Sequence, residues 1–236
     1  MYPVLFYGVP QGCSFGSIVA LEWLGQPYQL CRIEMLEQPW DPLYGQVNAL
    51  YQTPSLLTEN GAVVNESLAI LLHLAARSAA DGLGPRQGSA AFDQLNQMLS
   101  YLVTDFFSAF NPLWIAYEKA DLSADQRDLL QTVGREQVSN ACRYLNQLLV
   151  ERPWLLGGQR SLADAYLAGV ARWVSYHQLF DLPAAYPNLA RYLDRLGSDA
   201  AVRFATAIEQ GDAVTGSSTF QGHVSLEHLR SRLPTD

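Results

Sequence analysis

Three short stretches of the chain carry residue types that, at their spacing, can do chemistry. The first is Gly12-Cys13-Ser14, where an apolar run gives way to a helical pattern. A helix start offers unpaired N–H groups and roughly half a positive charge. A cysteine there is expected to ionise more easily, its pKa falling from about 8.5 toward about 7. The plain alternative is a small residue that merely opens a helix. The second stretch is Gln52-Thr53-Pro54, directly before a strand-like run. A proline entering a strand either ends the pairing or sits cis, and a cis Thr53–Pro54 bond lets the Thr53 main chain pair with an extended peptide. The alternative is a loop proline. The third is Glu66-Ser67 at another helix start. Backbone N–H groups there bind a carboxylate, the Ser67 hydroxyl is an extra donor, and Glu66 can pair with an ammonium. Ser and Glu are also ordinary helix-start residues.

The elements that must position these residues are legible in outline. Residues 3–9 (PVLFYGV) read as a short strand ended by Gly8, Pro10 and Gly12. A helix follows from Ser14, with Ile18, Leu21 and Leu24 on one face and a stop at Gly25. Residues 28–35 (YQLCRIEM) partly alternate and read as a second strand, completing a βαβ unit. Residues 39–51 read as loop or irregular helix. The run SLLTENGAVV contains Asn60-Gly61, a strong hairpin signal, and the helix opened at Asn65-Glu66-Ser67 shows Leu68, Leu71, Leu72 and Ala75 on one face. The order β-α-β then β-β-α predicts a thioredoxin-like α/β domain over residues 1–78.

Residues 79–91, rich in Ala, Gly and Ser, read as a linker. Strand signals then vanish, and residues 92–210 read as an all-α domain. Leu95, Leu99, Leu102 and Phe106 mark one helix; Val138, Cys142, Leu145 and Leu149 mark another; residues 163–176 and 189–196 supply two more. Residues 211–236 are polar and are expected to be a tail that drapes over the surface or frays. No internal repeat is visible.

Composition narrows the partners. Only 16% of the residues are charged and 49% are hydrophobic, so the chain is globular rather than disordered. A net charge of −8 argues against nucleic acid, whose phosphates demand clustered Lys and Arg, and against a polybasic membrane contact. No apolar run reaches the roughly 18–20 residues of a membrane span, and the first residues lack the pattern of a signal peptide. Three scattered cysteines, Cys13, Cys31 and Cys142, suit neither a disulfide framework nor a metal site. A reduced, cytoplasmic protein without a metal is expected. His73 and His177 lie in helical stretches and read as packed or surface residues.

A thiol near a helix start, an exposed extended backbone and a zwitterion site together ask for one ligand, and glutathione fits all three. At these residues the chain resembles a known family. QTPSLLTENGAVVNESLAILLHL is similar to the glutathione transferase pattern in which a Q-V-P-A-L strand, a hairpin and an E-S-x-A-I helix follow one another. GGQRSLADAYLAG resembles the family's S-x-x-D capping box, here Ser161 and Asp164. YGVPQGCSFGS and YLVTDFFSAFNPLW resemble the bacterial beta class, although the loop before Cys13 is one residue longer, Phe107 stands where that class has His, and Arg160 replaces an apolar residue before the cap. Pro10 occupies the position that serine-type classes use for their hydroxyl.

The resemblance implies a glutathione-binding α/β domain, an all-helical domain for the second substrate, and a homodimer. It implies that Cys13 contacts the glutathione sulfur, with Ser14 donating to it or merely capping, and with Tyr7 as a phenol donor or simply a core aromatic. Gln52, Thr53, Pro54, Glu66 and Ser67 would hold the tripeptide, and Asp105 would reach the ammonium of glutathione on the neighbouring subunit. Phe106, Phe107, Phe110, Trp114 and Tyr117 would line a pocket for hydrophobic electrophiles. Conjugation and thiol exchange or peroxide reduction are both open. The rival from another class is a non-catalytic relative that binds apolar ligands or proteins.

Overall fold

Strand β1 (Val4–Tyr7) is apolar at every position because it runs in the middle of a sheet and is covered on both faces. The computed structural model describes residues 1–8, 10–36, 38–77, 83–214 and 218–233. In it, β1 pairs in parallel with β2 (Tyr28–Arg32) and antiparallel with β3 (Ser55–Leu57), and β3 pairs antiparallel with β4 (Val63–Asn65). The expected βαβ and ββα halves therefore share one sheet. The hairpin turn is wider than Asn60-Gly61 alone would make it. Thr58 and Ala62 close it, through the Thr58 N–H and hydroxyl to the Ala62 carbonyl, and Gly61 takes a φ of 83°.

Helix α1 (Phe15–Leu24) departs from the one-faced helix that its spacing suggested. Nine of its ten residues are buried, because the sheet lies on one side and helices of the second half lie on the other. It ends at Gly25, which adopts the left-handed conformation and donates its N–H to Leu21. Helix α2 (Pro42–Gly45) is capped by Asp41, and α3 (Ser67–Arg77) buries Ile70, Leu71, Leu74 and Ala75. Leu68 and Leu72, placed on the core face by periodicity, are only half-buried at its edge.

The rest is helical up to residue 210: α4 (Ala90–Tyr101), α5 (Asn111–Glu118), α6 (Ala124–Leu148), α7 (Leu162–Val170), α8 (Arg172–Tyr176), α9 (Leu182–Ala185), α10 (Pro187–Gly197) and α11 (Ala200–Gln210). Between α4 and α5 the chain widens into a π-helical turn over Leu102–Phe107, then tightens over Ser108–Phe110. Residues 79–82 of the expected linker lie outside the described residues. Its Leu83 is buried and accepts the Leu162 N–H through its carbonyl.

Helix α7 is buried at every position and anchored by its cap. Asp164 accepts from the Ser161 N–H at 2.7 Å, the Ser161 hydroxyl at 2.9 Å, the Leu155 N–H at 3.0 Å and the Tyr192 hydroxyl at 2.5 Å. Arg160 takes up a different tie from the apolar residue it replaces. Its guanidinium stacks 4.7 Å over the Trp23 ring of α1 and pairs with Asp199, which also accepts the Trp23 indole N–H at 2.9 Å.

Of the two expectations for the tail, draped over the surface or frayed, its described residues 218–233 are ordered against the sheet. Residues 220–223 form β5 (Phe220–His223), which adds to the free edge of β2 in parallel and gives the order β4-β3-β1-β2-β5. A short helix, α12 (Leu226–Leu229), follows, and Leu229 and Leu233 are buried with Val4, Phe6, Cys31 and Tyr44 on the face away from α1. An open edge and an uncovered apolar face explain why a polar segment orders there.

The two halves meet most closely where α1 crosses α7. A Cβ on Gly16 would lie 2.8 Å from the Ala165 carbonyl oxygen and 2.9 Å from the Tyr166 Cα. Alanine favours a helix over glycine by about 1 kcal/mol, but overpacking a backbone contact costs about 1–3 kcal/mol. Gly16→Ala is therefore expected to lower stability in urea denaturation despite its better helix propensity, and a rise in stability would mean that the contact is loose.

Candidate active site

The sequence-predicted chemistry converges on one cleft of about 490 Å³ between the two halves. Gly12 and Cys13 come from the turn leading into α1. Gln52, Thr53 and Pro54 come from the segment before β3, and Glu66, Ser67 and Leu68 from the start of α3. Val103 and Phe107 of the π-helical turn and Tyr166 of α7 form the opposite wall. The Thr53–Pro54 peptide is cis, and the sheet pairing of β3 begins only at Ser55, so Thr53 lies beyond the ladder at the cleft.

Residues that sequence reasoning missed hold this segment. The Gln52 carbonyl accepts from the Tyr44 hydroxyl at 2.7 Å and from the Asn48 amide at 2.9 Å. Asn48 and Met35 also line the cleft. Nothing in the spacing of residues 39–51 marks them, because they come from a loop and a single helical turn. Backbone conformation is unusual here too. Gln11, Tyr51 and Glu66, each next to or in the cleft lining, take φ values of 62°, 52° and 72°. Such left-handed non-glycine residues are costly and gather where a site over-determines them.

Cys13 departs from the expected low pKa. Burial, reinforced by the Glu66 carboxylate, pushes its thiol up to about 11, against the pull of the Arg172 guanidinium and a backbone hydrogen bond. The cysteine sits one residue before Ser14, the cap of α1, and loss of solvent outweighs the helix start. Ser14 is itself buried, and its hydroxyl has no partner among the described residues. Cys31 and Cys142 are buried in apolar surroundings that push each thiol up to about 12, which suits inert core residues.

Of the two readings of Tyr7, phenol donor to the thiol or core aromatic, its contacts fit the second. Its hydroxyl is hydrogen-bonded to His223 Nε2 of β5 at 2.9 Å, and burial raises its pKa. The expected aromatic pocket is also redrawn. Only Phe107 reaches the cleft; Phe106 and Phe110 are fully buried core. Trp114 and Tyr117 join Trp173, Tyr176 and His177 in an aromatic cluster, with Trp114 and Trp173 centroids 5.1 Å apart. Phe106 and Phe110 continue the buried row of Leu95, Leu99 and Leu102, so the period that marks the helix also turns them inward. Asp105 faces away from the cleft, into a depression with Tyr101, Asn140 and Tyr144, and accepts a hydrogen bond from Thr104. His73 contacts Arg77 on the surface.

The model of the "Glutathione S-transferase, N-terminal domain" matches residues 13–77, and that of the "Glutathione S-transferase, C-terminal domain" matches residues 86–195, together well over half the chain. The chain belongs to the glutathione S-transferase family. The transferase is 26% identical over 212 residues to the glutathione S-transferase GstA of Escherichia coli O157:H7, covering 87% of this chain and 98% of that protein. Its fold is similar to a sphingomonad glutathione S-transferase complexed with glutathione (TM-score 0.76, 28% identity, 88% and 98% of the two chains). It is similar in the same way to the beta-class enzyme of Sphingomonas chungbukensis (TM-score 0.75, 27% identity, 87% and 98%).

In this transferase the Tyr7 hydroxyl is engaged with the tail, so Tyr7→Phe is expected to leave glutathione affinity and turnover within about twofold of wild type. The lost bond should lower stability by about 1 kcal/mol. A tenfold loss of turnover in steady-state assays would return Tyr7 to the thiol.

Proposed function

We propose that the cleft binds glutathione and delivers its sulfur to a hydrophobic electrophile. The observation that carries this is the union of Cys13, Thr53 and the Glu66-Ser67 helix start in a single lining. The γ-glutamyl carboxylate would accept from the Ser67 hydroxyl and the first N–H groups of α3, an eleven-residue helix whose dipole favours an anion. Glu66, exposed and with its backbone held in the left-handed region, would take the ammonium. The Thr53 main chain would pair with the cysteinyl unit as an added strand does.

The chemistry then follows from protonation. A Cys13 thiol pushed up to about 11 keeps its proton at neutral pH, so it can donate to a glutathione thiolate. Stabilising that thiolate and placing it beside a bound electrophile are the two sources of rate. Val103, Phe107 and Tyr166 would supply the apolar wall. Mixed-disulfide exchange needs the Cys13 thiolate, which this environment makes scarce, so conjugation is the favoured reaction. The protein would work in the cytoplasm as a homodimer, in which Asp105, turned away from its own cleft, would meet the ammonium held by the neighbouring subunit. Among the described residues no helix is long and apolar enough to cross a membrane.

Retention on immobilised glutathione tests the assignment, and flow-through with no thermal shift at millimolar glutathione would place the chain among binding modules. Ser67→Ala and Glu66→Gln are each expected to weaken glutathione about tenfold or more in calorimetry, the size of one charge-assisted hydrogen bond. Unchanged affinity in both would remove the helix start from the site. Intact mass after incubation with oxidised glutathione should show no adduct on Cys13.

A further inference from the structure

A charged pair with one buried partner lies beside the cleft, and the chemistry above makes no use of it. Arg172 of α8 donates to both carboxylate oxygens of Glu209 in α11, at 2.6 and 3.3 Å, and the Glu209 side chain is only 5% exposed. Burying such a pair is costly and a well-packed apolar pair often does as well for stability, so a role beyond stability deserves a test. Its remaining contacts point to the thiol. The Arg172 guanidinium lies 3.7 Å over the ring of Phe15, the first residue of α1, and its Nε donates to the Gly169 carbonyl at 2.9 Å. Glu209 accepts the backbone N–H of Gln11 at 3.3 Å. Trp173, next to Arg172, donates its indole N–H to the Gln11 carbonyl at 2.7 Å. Both main-chain groups of Gln11, two residues before Cys13 and left-handed at φ 62°, are thus held by α8 and α11.

We propose that Arg172 and Glu209 are positioning residues for the thiol: with Trp173 they clamp the turn that presents Cys13, and their opposed charges set the field at its sulfur. The catalytic meaning of this rests on Cys13 meeting the glutathione sulfur, but the device itself acts on the free protein. The charged and titratable groups that act on Cys13 are Glu66 at the start of α3, Tyr166 on α7 and Arg172 on α8, with Glu209 behind Arg172. Arg172 is the cation among them. It favours the thiolate, Glu66 opposes it, and Glu209 tempers Arg172.

The sign of two neutralising substitutions separates field from scaffold. The rate of Cys13 alkylation by iodoacetamide at pH 8, followed on the Cys13 peptide by mass spectrometry, tracks the thiolate fraction when the pKa lies well above the pH. Arg172→Gln is expected to slow it about threefold or more, which corresponds to about half a pKa unit. Glu209→Gln, which leaves Arg172 unopposed, is expected to speed it by a similar factor, and Arg172→Lys should stay within about twofold of wild type. A purely structural clamp would loosen in both neutral variants and move both rates the same way; that result, or no change in either, overturns the proposal. If Arg172→Gln does not fold, the pH–rate profile of Glu209→Gln decides: the same profile displaced to lower pH supports the device, whereas a rate raised at every pH, lowered or unchanged overturns it. Retention on glutathione is measured separately, so a chain that alkylates as stated yet fails to bind glutathione refutes the proposed function and leaves this device standing.

Discussion

Desolvation of one thiol is the constraint on which the rest of the molecule turns. Cys13 lies where the α/β half meets the helical half, and burial there outweighs both the helix start and the Arg172 guanidinium. The half-buried Cys13 leads into α1, a helix enclosed by the sheet on one side and by α7 and α11 on the other. Two glycines make that enclosure tight. Gly16 brings its backbone against Ala165 and Tyr166, and a Cβ on Gly169 would come within 3.2 Å of the Gly16 nitrogen. A thiol kept neutral in this way is a hydrogen-bond donor. It therefore suits a second sulfur that arrives as an anion better than it suits an attack of its own.

The surrounding structure reads as a set of ties that keep this junction closed. Arg160 and Asp199 clasp Trp23 of α1, while Arg172 and Glu209 clasp Phe15 and the turn before it. The tail closes the α/β half from the far side, pairing β5 with β2 and burying Leu229 and Leu233 on the outer face. Tyr7 belongs to this closure. Its hydroxyl secures His223 of the tail, so a strand-end phenol one turn from the cysteine serves the fold.

What the sequence made legible was the chemistry encoded locally. The Pro54 turn, the Glu66-Ser67 helix start and the Ser161–Asp164 cap each depend on a few adjacent residues, and the structure places the first two together in the cleft with Cys13. What stayed hidden depends on distant partners or on helix phase. FQGH carries no strand pattern and becomes β5 only because the β2 edge is open to it. The aromatic run from Phe106 to Tyr117 looked like one pocket wall, yet Phe106 and Phe110 continue the buried row of Leu99 and Leu102, and of the five only Phe107 lines the cleft. Tyr166 sat unnoticed inside a folding motif. The burial that raises the Cys13 thiol is hidden for the same reason: the helix start is visible in the sequence, whereas Tyr166, in the opposite wall of the cleft, lies far along the chain.

The most direct measurement follows the protonation of Cys13 itself. In protein labelled with ¹³C at the cysteine Cβ, the Cys13 resonance is expected to hold its thiol position at neutral pH and to reach its titration midpoint only at about 11. A midpoint at or below about 8.5, the value of a free cysteine, would contradict the account. The helix start would then govern the sulfur, and burial would not.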